Sequence, residues 1–355
     1  MQVQANGVSN RRALSSASLQ AGSPGPSQGA SQDIKVDGTS GFAATVVSGA
    51  TDLASKVVGS TQGFASAAQT IVDTITTRKK APILLMHGAI QGGWVWELPR
   101  ISNGAPLGVK GLLQQAGFTV YNPTLPFHSP TNAWNLADGQ VNCQTYVDTW
   151  KKTILDNDLQ NTTLVGHSLA GVWMQLLLQQ IPERIGMMIF IDAVALEPGE
   201  SFFSNQIAGL VPTYPVYPSQ ALFTIMFSYP LFYQEFNIEV YKDYFTNTMA
   251  NDTALIDGTY ALMVPEPHGP EVQVMDTTQF FQIPMPKAYI SLTQDFTLSS
   301  NYKSWLLFSD RVKKANNGGV PYQVYEVYGD HESMLTQPSN LALGILKAIN
   351  GMHQE

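Results

Sequence analysis

A mostly parallel β-sheet covered by helices on both faces is the fold that this 355-residue sequence predicts. Three observations predict it. Short apolar, β-branched runs recur between residues 81 and 328, and helix-like stretches separate the first few of them. The runs are apolar almost throughout, as strands buried on both faces are, instead of alternating with polar residues. Composition agrees: 44% apolar residues are close to those of an ordinary globule, with chain enough for a sizeable core.

Residues 1–40 ("SPGPSQGASQ" within them) hold few large apolar groups and are expected to be disordered. Arg11-Arg12 resembles a twin-arginine export signal, but no apolar h-region follows, so a cytoplasmic location is the default expectation with export left open. Residues 41–78 form a second zone. Phe42, Leu53, Phe64 and Ile75 recur every eleven residues, as do Ala43, Ala54 and Ala65. That spacing is close to three helical turns and puts them on one face of an amphipathic helix. Such a helix either packs on the main domain or lies, through residues 42–75, on a lipid or polymer surface or another chain. With Lys56 nearly its only cation, attraction to anionic lipid would be weak.

The α/β core is expected over residues 79–193 and 286–355. Its strands are "PILLMHG", "FTVYNP", "TTLVGHS", "MMIFIDA", "KAYISL" and "YQVYEVYG"; its first helices are "PLGVKGLLQQAG", "CQTYVDTWKKTILDN" and "LAGVWMQLLLQQI". Between "IFIDAV" and "KAYISL" the rhythm breaks for about 90 residues, too many for one crossover. Residues 194–285 are therefore expected to form a cap over the carboxyl ends of the strands, where open α/β sheets bind ligands.

The chemistry starts at Gly166-His167-Ser168-Leu169-Ala170, which follows a strand and opens a helix. This is the setting of a nucleophile elbow, a turn so tight that Gly166 and Ala170 must be small. His167 should point away from the serine. The Leu169 N–H, at the helix start, is placed to stabilise an oxyanion. A serine hydroxyl needs a base. Of six histidines, His331 in "YGDHESML" follows the last strand and comes after the serine, in the required order. His87 and His128 suit structural roles, His268 is at best a substrate contact, and His353 belongs to the tail. Asp295 in "TQDF" is the expected orienting carboxylate, with Asp192 its rival; Asp330 should shape the turn. In "HGAIQGGWVW", Ala89 is the expected second oxyanion donor and Ile90 the next choice, because glycines around them let backbone approach a ligand closely.

With these pieces in order, residues 81–351 resemble the α/β-hydrolase superfamily, and within it the branch of plant methylesterases, hydroxynitrile lyases and related bacterial esterases. The resemblance rests on "HGAIQGGWVW", "GHSLAG", "TQD" and "GDHESMLTQP", and does not extend to residues 1–76. It implies an α/β-hydrolase fold with a helical cap between the sixth and seventh strands of that fold, and a serine hydrolase acting through an acyl-enzyme. Lyases of the branch tend to carry Thr and Lys where this chain has Gly88 and Glu332, which favours hydrolysis.

The cap speaks to substrate. Residues 201–286 contain 16 of the chain's 36 aromatic residues and no arginine. A hydrophobic, uncharged ester is expected, with Gly88, Trp94, Met226 and Met263 contributing to its site. Lactone, thioester or amide cleavage, lyase chemistry and a non-catalytic binding scaffold remain alternatives. A net charge of −8 argues against nucleic-acid partners, and the single Cys143 with no Cys/His cluster points to chemistry without metal or cofactor.

Overall fold

The structure, a computed structural model, describes residues 80–98, 107–129, 141–202, 204, 224–228, 231–235, 238–297, 304–315 and 320–352, with backbone alone at 224–228, 231–235, 268, 304 and 305. The segments 1–40 and 41–78 of the sequence reading lie outside the described residues. No described helix is long and apolar enough to cross a membrane.

The strands in chain order are β1 (Ile83–Met86), β2 (Val120–Tyr121), β3 (Thr162–His167), β4 (Ile185–Ile191), β5 (Thr224–Ser228), β6 (Leu231–Glu235), β7 (Glu266–Pro267), β8 (Lys287–Leu292) and β9 (Tyr322–Val327). Six of them form one sheet, ordered β2-β1-β3-β4-β8-β9, with every neighbouring pair parallel. Side chains alternate across a strand, so each continuous apolar run feeds two cores. Ile83, Leu85, Val165, Ile189, Ile290 and Leu292 point into one core, where helices α1 (Val109–Gln115) and α6 (Pro338–Met352) pack. Leu84, Met86, Leu164, Met188, Phe190 and Tyr289 point into the other, beneath α2 (Cys143–Asp156), α3 (Ala170–Gln180) and α5 (Ser304–Lys314). An apolar strand with one polar face would leave one of these cores unfilled.

Residues between β4 and β8 make a second, smaller body of structure. It contains α4 (Thr253–Tyr260), a one-turn helix at Ile238–Val240 running into a π-turn at Tyr241–Phe245, and an antiparallel sheet ordered β5-β6-β7. The expected helical cap is corrected to this extent: the insertion holds a small antiparallel sheet besides its helices. "TIMFS" and "LFYQE" are rich in aromatic and β-branched residues, and Tyr229-Pro230 separates them, a composition suited to a hairpin. In the main sheet the insertion separates the fourth strand from the fifth in chain order, because the described residues supply six strands to that sheet.

The insertion is tied to loops that leave the carboxyl ends of three strands. Val264 N–H donates to the Ile90 carbonyl after β1 (3.0 Å), Asn247 Nδ2 to the Gln294 carbonyl after β8 (3.0 Å), and Thr248 N–H to Asp330 Oδ2 after β9 (3.0 Å). Those same loops carry Ala89, Asp295 and His331.

Candidate active site

Strand β3 ends at His167 and helix α3 starts at Ala170, leaving Ser168 and Leu169 to turn the chain. Ser168 has φ +55°, a left-handed conformation costly for a residue with a side chain. Backbone bonds hold it there: its N–H donates to the Ile191 carbonyl (3.1 Å), and its carbonyl accepts from Gly171 (3.2 Å) and Val194 (3.0 Å). Gly166 makes room for Met174, since a Cβ there would lie 2.0 Å from Met174 Sδ on α3 and that side chain would have to shift. Gly88 is crowded likewise, its virtual Cβ lying 3.0 Å from Ser168 Cβ, so any side chain at 88 would push on the serine.

The loop after β9 brings His331 over the turn. Its Nε2 stands 3.0 Å from Ser168 Oγ, and its Nδ1 stands 2.6 Å from Asp295 Oδ2 in the loop after β8. The carboxylate assigns the Nδ1–H tautomer, which leaves Nε2 as acceptor for the serine proton. Thr297, which sequence reasoning did not single out, completes the arrangement. Its N–H (2.6 Å) and hydroxyl both donate to Asp295 Oδ1, and the hydroxyl oxygen lies 2.7 Å from His331 Nδ1. Threonine two residues after the aspartate was the available signal, because a side-chain oxygen there can take a local turn bond.

Burial would lower the His331 pKa, but the charge and hydrogen bond of Asp295 outweigh it and hold it above the ordinary value. Burial would raise that of Asp295; the His331 charge, then bonds from His331, Asp192 and Thr297, hold it down to about 2. Asp192 is not the group that meets His331. Its Oδ2 accepts from Leu292 N–H (3.0 Å), and burial followed by the neighbouring Asp295 charge pushes its pKa well above the carboxylate range. One carboxyl is thus ionised and the other protonated.

His167 lies closer to the site than expected. Its ring is buried with its centroid 4.5 Å from that of His331. Burial and then the His331 charge keep it neutral. Phe245, from the π-turn of the insertion, meets the His331 ring edge-on at 5.1 Å. A widened helical turn is a common device for placing a functional side chain.

Leu169 follows the serine in sequence and Ala89 follows Gly88, which packs against that serine, and the backbone N–H of neither is given to an acceptor among the described residues. Ile90 is excluded as a donor: at φ +57° its N–H is given to Glu266 Oε2 (2.8 Å). That carboxylate also takes His128 Nε2 (2.7 Å) and Tyr146 OH (2.9 Å). His87 accepts from Leu125 N–H (3.1 Å) and is held neutral, burial lowering its pKa to about 3. Both histidines are therefore structural, as expected. Asp330 shapes its turn, accepting from Thr248 and Thr336, and burial raises its pKa to about 6.

The residues expected to touch substrate are less concentrated. Trp94 is half-buried against the core beneath α1 and α6. Met263 packs with Val240, Tyr241, Phe245 and Ile256 inside the insertion. Met226 lies on β5, where backbone alone is described, as it is at His268. No group of three or more potential metal ligands occurs among the described residues.

A family model described as the alpha/beta hydrolase family matches residues 83–342. Methylesterase 2 of Arabidopsis thaliana is 21% identical over 238 residues, 65% of this chain and 84% of that relative. Pyrethroid hydrolase of Sphingobium wenxiniae is 29% identical over 117 residues, 33% of this chain and 37% of that relative. Among solved structures, an extracellular alpha/beta-hydrolase from a Paenibacillus species superposes with a TM-score of 0.56 at 22% identity, covering 76% of this chain and 99% of its own. Polyneuridine aldehyde esterase does so with a TM-score of 0.57 at 18% identity, covering 77% and 100%.

Proposed function

This chain belongs to the alpha/beta hydrolase family, and we propose that within it the chain is a serine esterase acting on a hydrophobic, uncharged carboxylic ester. One observation carries this reading: Ser168 Oγ, His331 Nε2, His331 Nδ1 and Asp295 Oδ2 form an unbroken chain of 3.0 and 2.6 Å contacts. The names of relatives, methylesterase and pyrethroid hydrolase, agree with ester cleavage.

Ser168 Oγ adds to the ester carbonyl carbon as its proton passes to His331 Nε2, and Asp295 stabilises the resulting imidazolium. The carbonyl oxygen gains the negative charge, which the Ala89 and Leu169 N–H groups hold; losing one such donor costs about 3 kcal/mol of transition-state stabilisation. Collapse breaks the bond to the alcohol, which leaves with the proton from His331. Water then attacks the acyl-serine by the same route, releasing the acid and restoring the serine.

Substrate class is argued from what surrounds the site. Phe245 supplies an aromatic wall at His331, and no arginine occurs in residues 194–285 to pair a substrate carboxylate or phosphate. Glu332, standing where lyases of the branch tend to carry Lys, offers no cation beside His331 to receive a departing anion, which separates this reading from lyase chemistry. The test is a panel of p-nitrophenyl esters of rising acyl length on wild type and Ser168→Ala. The substitution should lower kcat by a factor on the order of 10⁵ or more. Unchanged turnover would refute the reading, and preference for short anionic esters would refute the substrate class.

A further inference from the structure

The proposed reaction needs two loops held at a fixed separation: residues 87–91, which carry the Ala89 amide, and residues 329–332, which carry His331. One buried side-chain pair spans them. Gln91 Nε2 donates to both carboxyl oxygens of Glu332, at 2.6 and 2.7 Å, while Gln91 Oε1 accepts from Gly88 N–H at 3.2 Å. Both side chains are almost fully buried, and Glu332 N–H is fixed on the Phe245 carbonyl at 3.0 Å. Neither side chain takes part in the acyl transfer derived above. A buried carboxyl next to Asp295 and Asp330 is expensive, and two apolar residues would fill the same space without that cost.

We propose that Gln91 and Glu332 are positioning residues that clip the oxyanion loop to the histidine loop and so fix the distance between the Ala89 amide and the His331 imidazole. The proposal rests on the acyl-transfer reading. The clip also carries a proton. The titratable groups facing Glu332 are His331, Asp330, Asp295 and Tyr241. Burial pushes the Glu332 carboxyl up to about 8, against the opposing pull of His331 and the Gln91 bond. Above that pH an anion stands beside the loop that must receive the oxyanion, and like charge opposes its formation. Turnover then falls.

The test compares wild type, Gln91→Leu, Glu332→Leu, the double variant and Glu332→Gln in kcat, KM, melting temperature and labelling of Ser168 by a fluorophosphonate. Each single Leu variant should lose about ten- to hundredfold in kcat with little change in KM, the scale of a small misplacement of reacting groups. Each should also melt lower, because a buried polar partner is left unsatisfied. The double variant should regain melting temperature but not kcat. Glu332→Gln still offers an acceptor to Gln91; it should retain most of kcat at pH 7 and lose the decline above pH 8.

Recovery of kcat together with melting temperature in the double variant would overturn the clip, because the pair would then only fill space. An unchanged alkaline decline in Glu332→Gln would overturn the role of its proton. Should the Leu variants fail to fold, the volume-matched Gln91→Met and Glu332→Met decide: full kcat in both refutes the clip. Wild type that neither labels nor cleaves esters refutes the acyl-transfer reading itself, whereas active, labelled wild type with indifferent variants refutes only the clip.

Discussion

Two aspartates within reach of each other divide two tasks by environment. Asp295 has three donors besides its histidine contact to keep it ionised, whereas Asp192 has the Leu292 amide and a carboxylate neighbour, and stays protonated. Asp295→Asn would leave the geometry but lose the charge and the tautomer control, with a loss of kcat on the order of 10³–10⁴ by analogy with other triads. Asp192→Asn replaces a neutral acid with a neutral amide that still accepts from Leu292, so kcat should stay within about tenfold of wild type. The pH profile gives a second check. The base must be neutral, and its pKa is raised in the folded protein. Activity should therefore rise with pH through a midpoint above 6.5, and that midpoint should fall in Asp295→Asn. Full activity in Asp295→Asn beside an inactive Asp192→Asn would reverse the assignment.

The strands of the main sheet were legible in the sequence because burial on both faces leaves nearly unbroken apolar runs; "TTLVGHS" and "KAYISL" became β3 and β8. The elbow was legible because steric demand on Gly166 and Ala170 is local. What escaped was non-local. Nothing near Glu266 in sequence tells that β7 would bring its carboxylate to Ile90, 176 residues away, or that Gln91 would meet Glu332 across 241 residues. The hairpin of β5 and β6 escaped for another reason: its apolar residues suit a helix or a strand equally until a partner strand decides. The Glu266 anchor predicts a measurable split. Glu266→Leu leaves His128, Tyr146 and the Ile90 amide buried without a shared acceptor, and should cost about 3–5 kcal/mol of stability. Glu266→Gln keeps one acceptor oxygen and should cost less. If Ile90 positions Ala89, kcat should fall in both variants beyond what loss of folded protein explains, measured against the fluorophosphonate-titrated fraction.

Every buried group with a shifted pKa also links the fold as a whole to pH. His87 and His167 are held neutral, with pKa values below their unfolded value. Their stabilisation is complete above about pH 6.5 and is lost as pH falls. Asp192, Asp330 and Glu332 are raised, the first well above the carboxylate range and the others to about 6 and about 8, so they favour the fold while protonated. Their contribution is complete below the unfolded carboxylate values and is lost as pH rises through those folded ones. His128 and His331 are raised as well and act in the same direction, their contribution fading above about pH 6.5. Between about pH 4.5 and 6 the three carboxyl differences oppose the two histidine differences and outweigh them slightly. Above about pH 7.5 the unfolded histidines have lost nearly all their protons, and only the set that weakens the fold with rising pH remains. Melting temperature should therefore fall slightly from about pH 4.5 to 6 and more steeply from there towards pH 8. Glu332→Gln removes one of the alkaline contributors and should make that decline shallower. A melting temperature that climbs from pH 6.5 to 8 would contradict a buried, protonated Glu332, and with it the proton assigned to the link between the two loops.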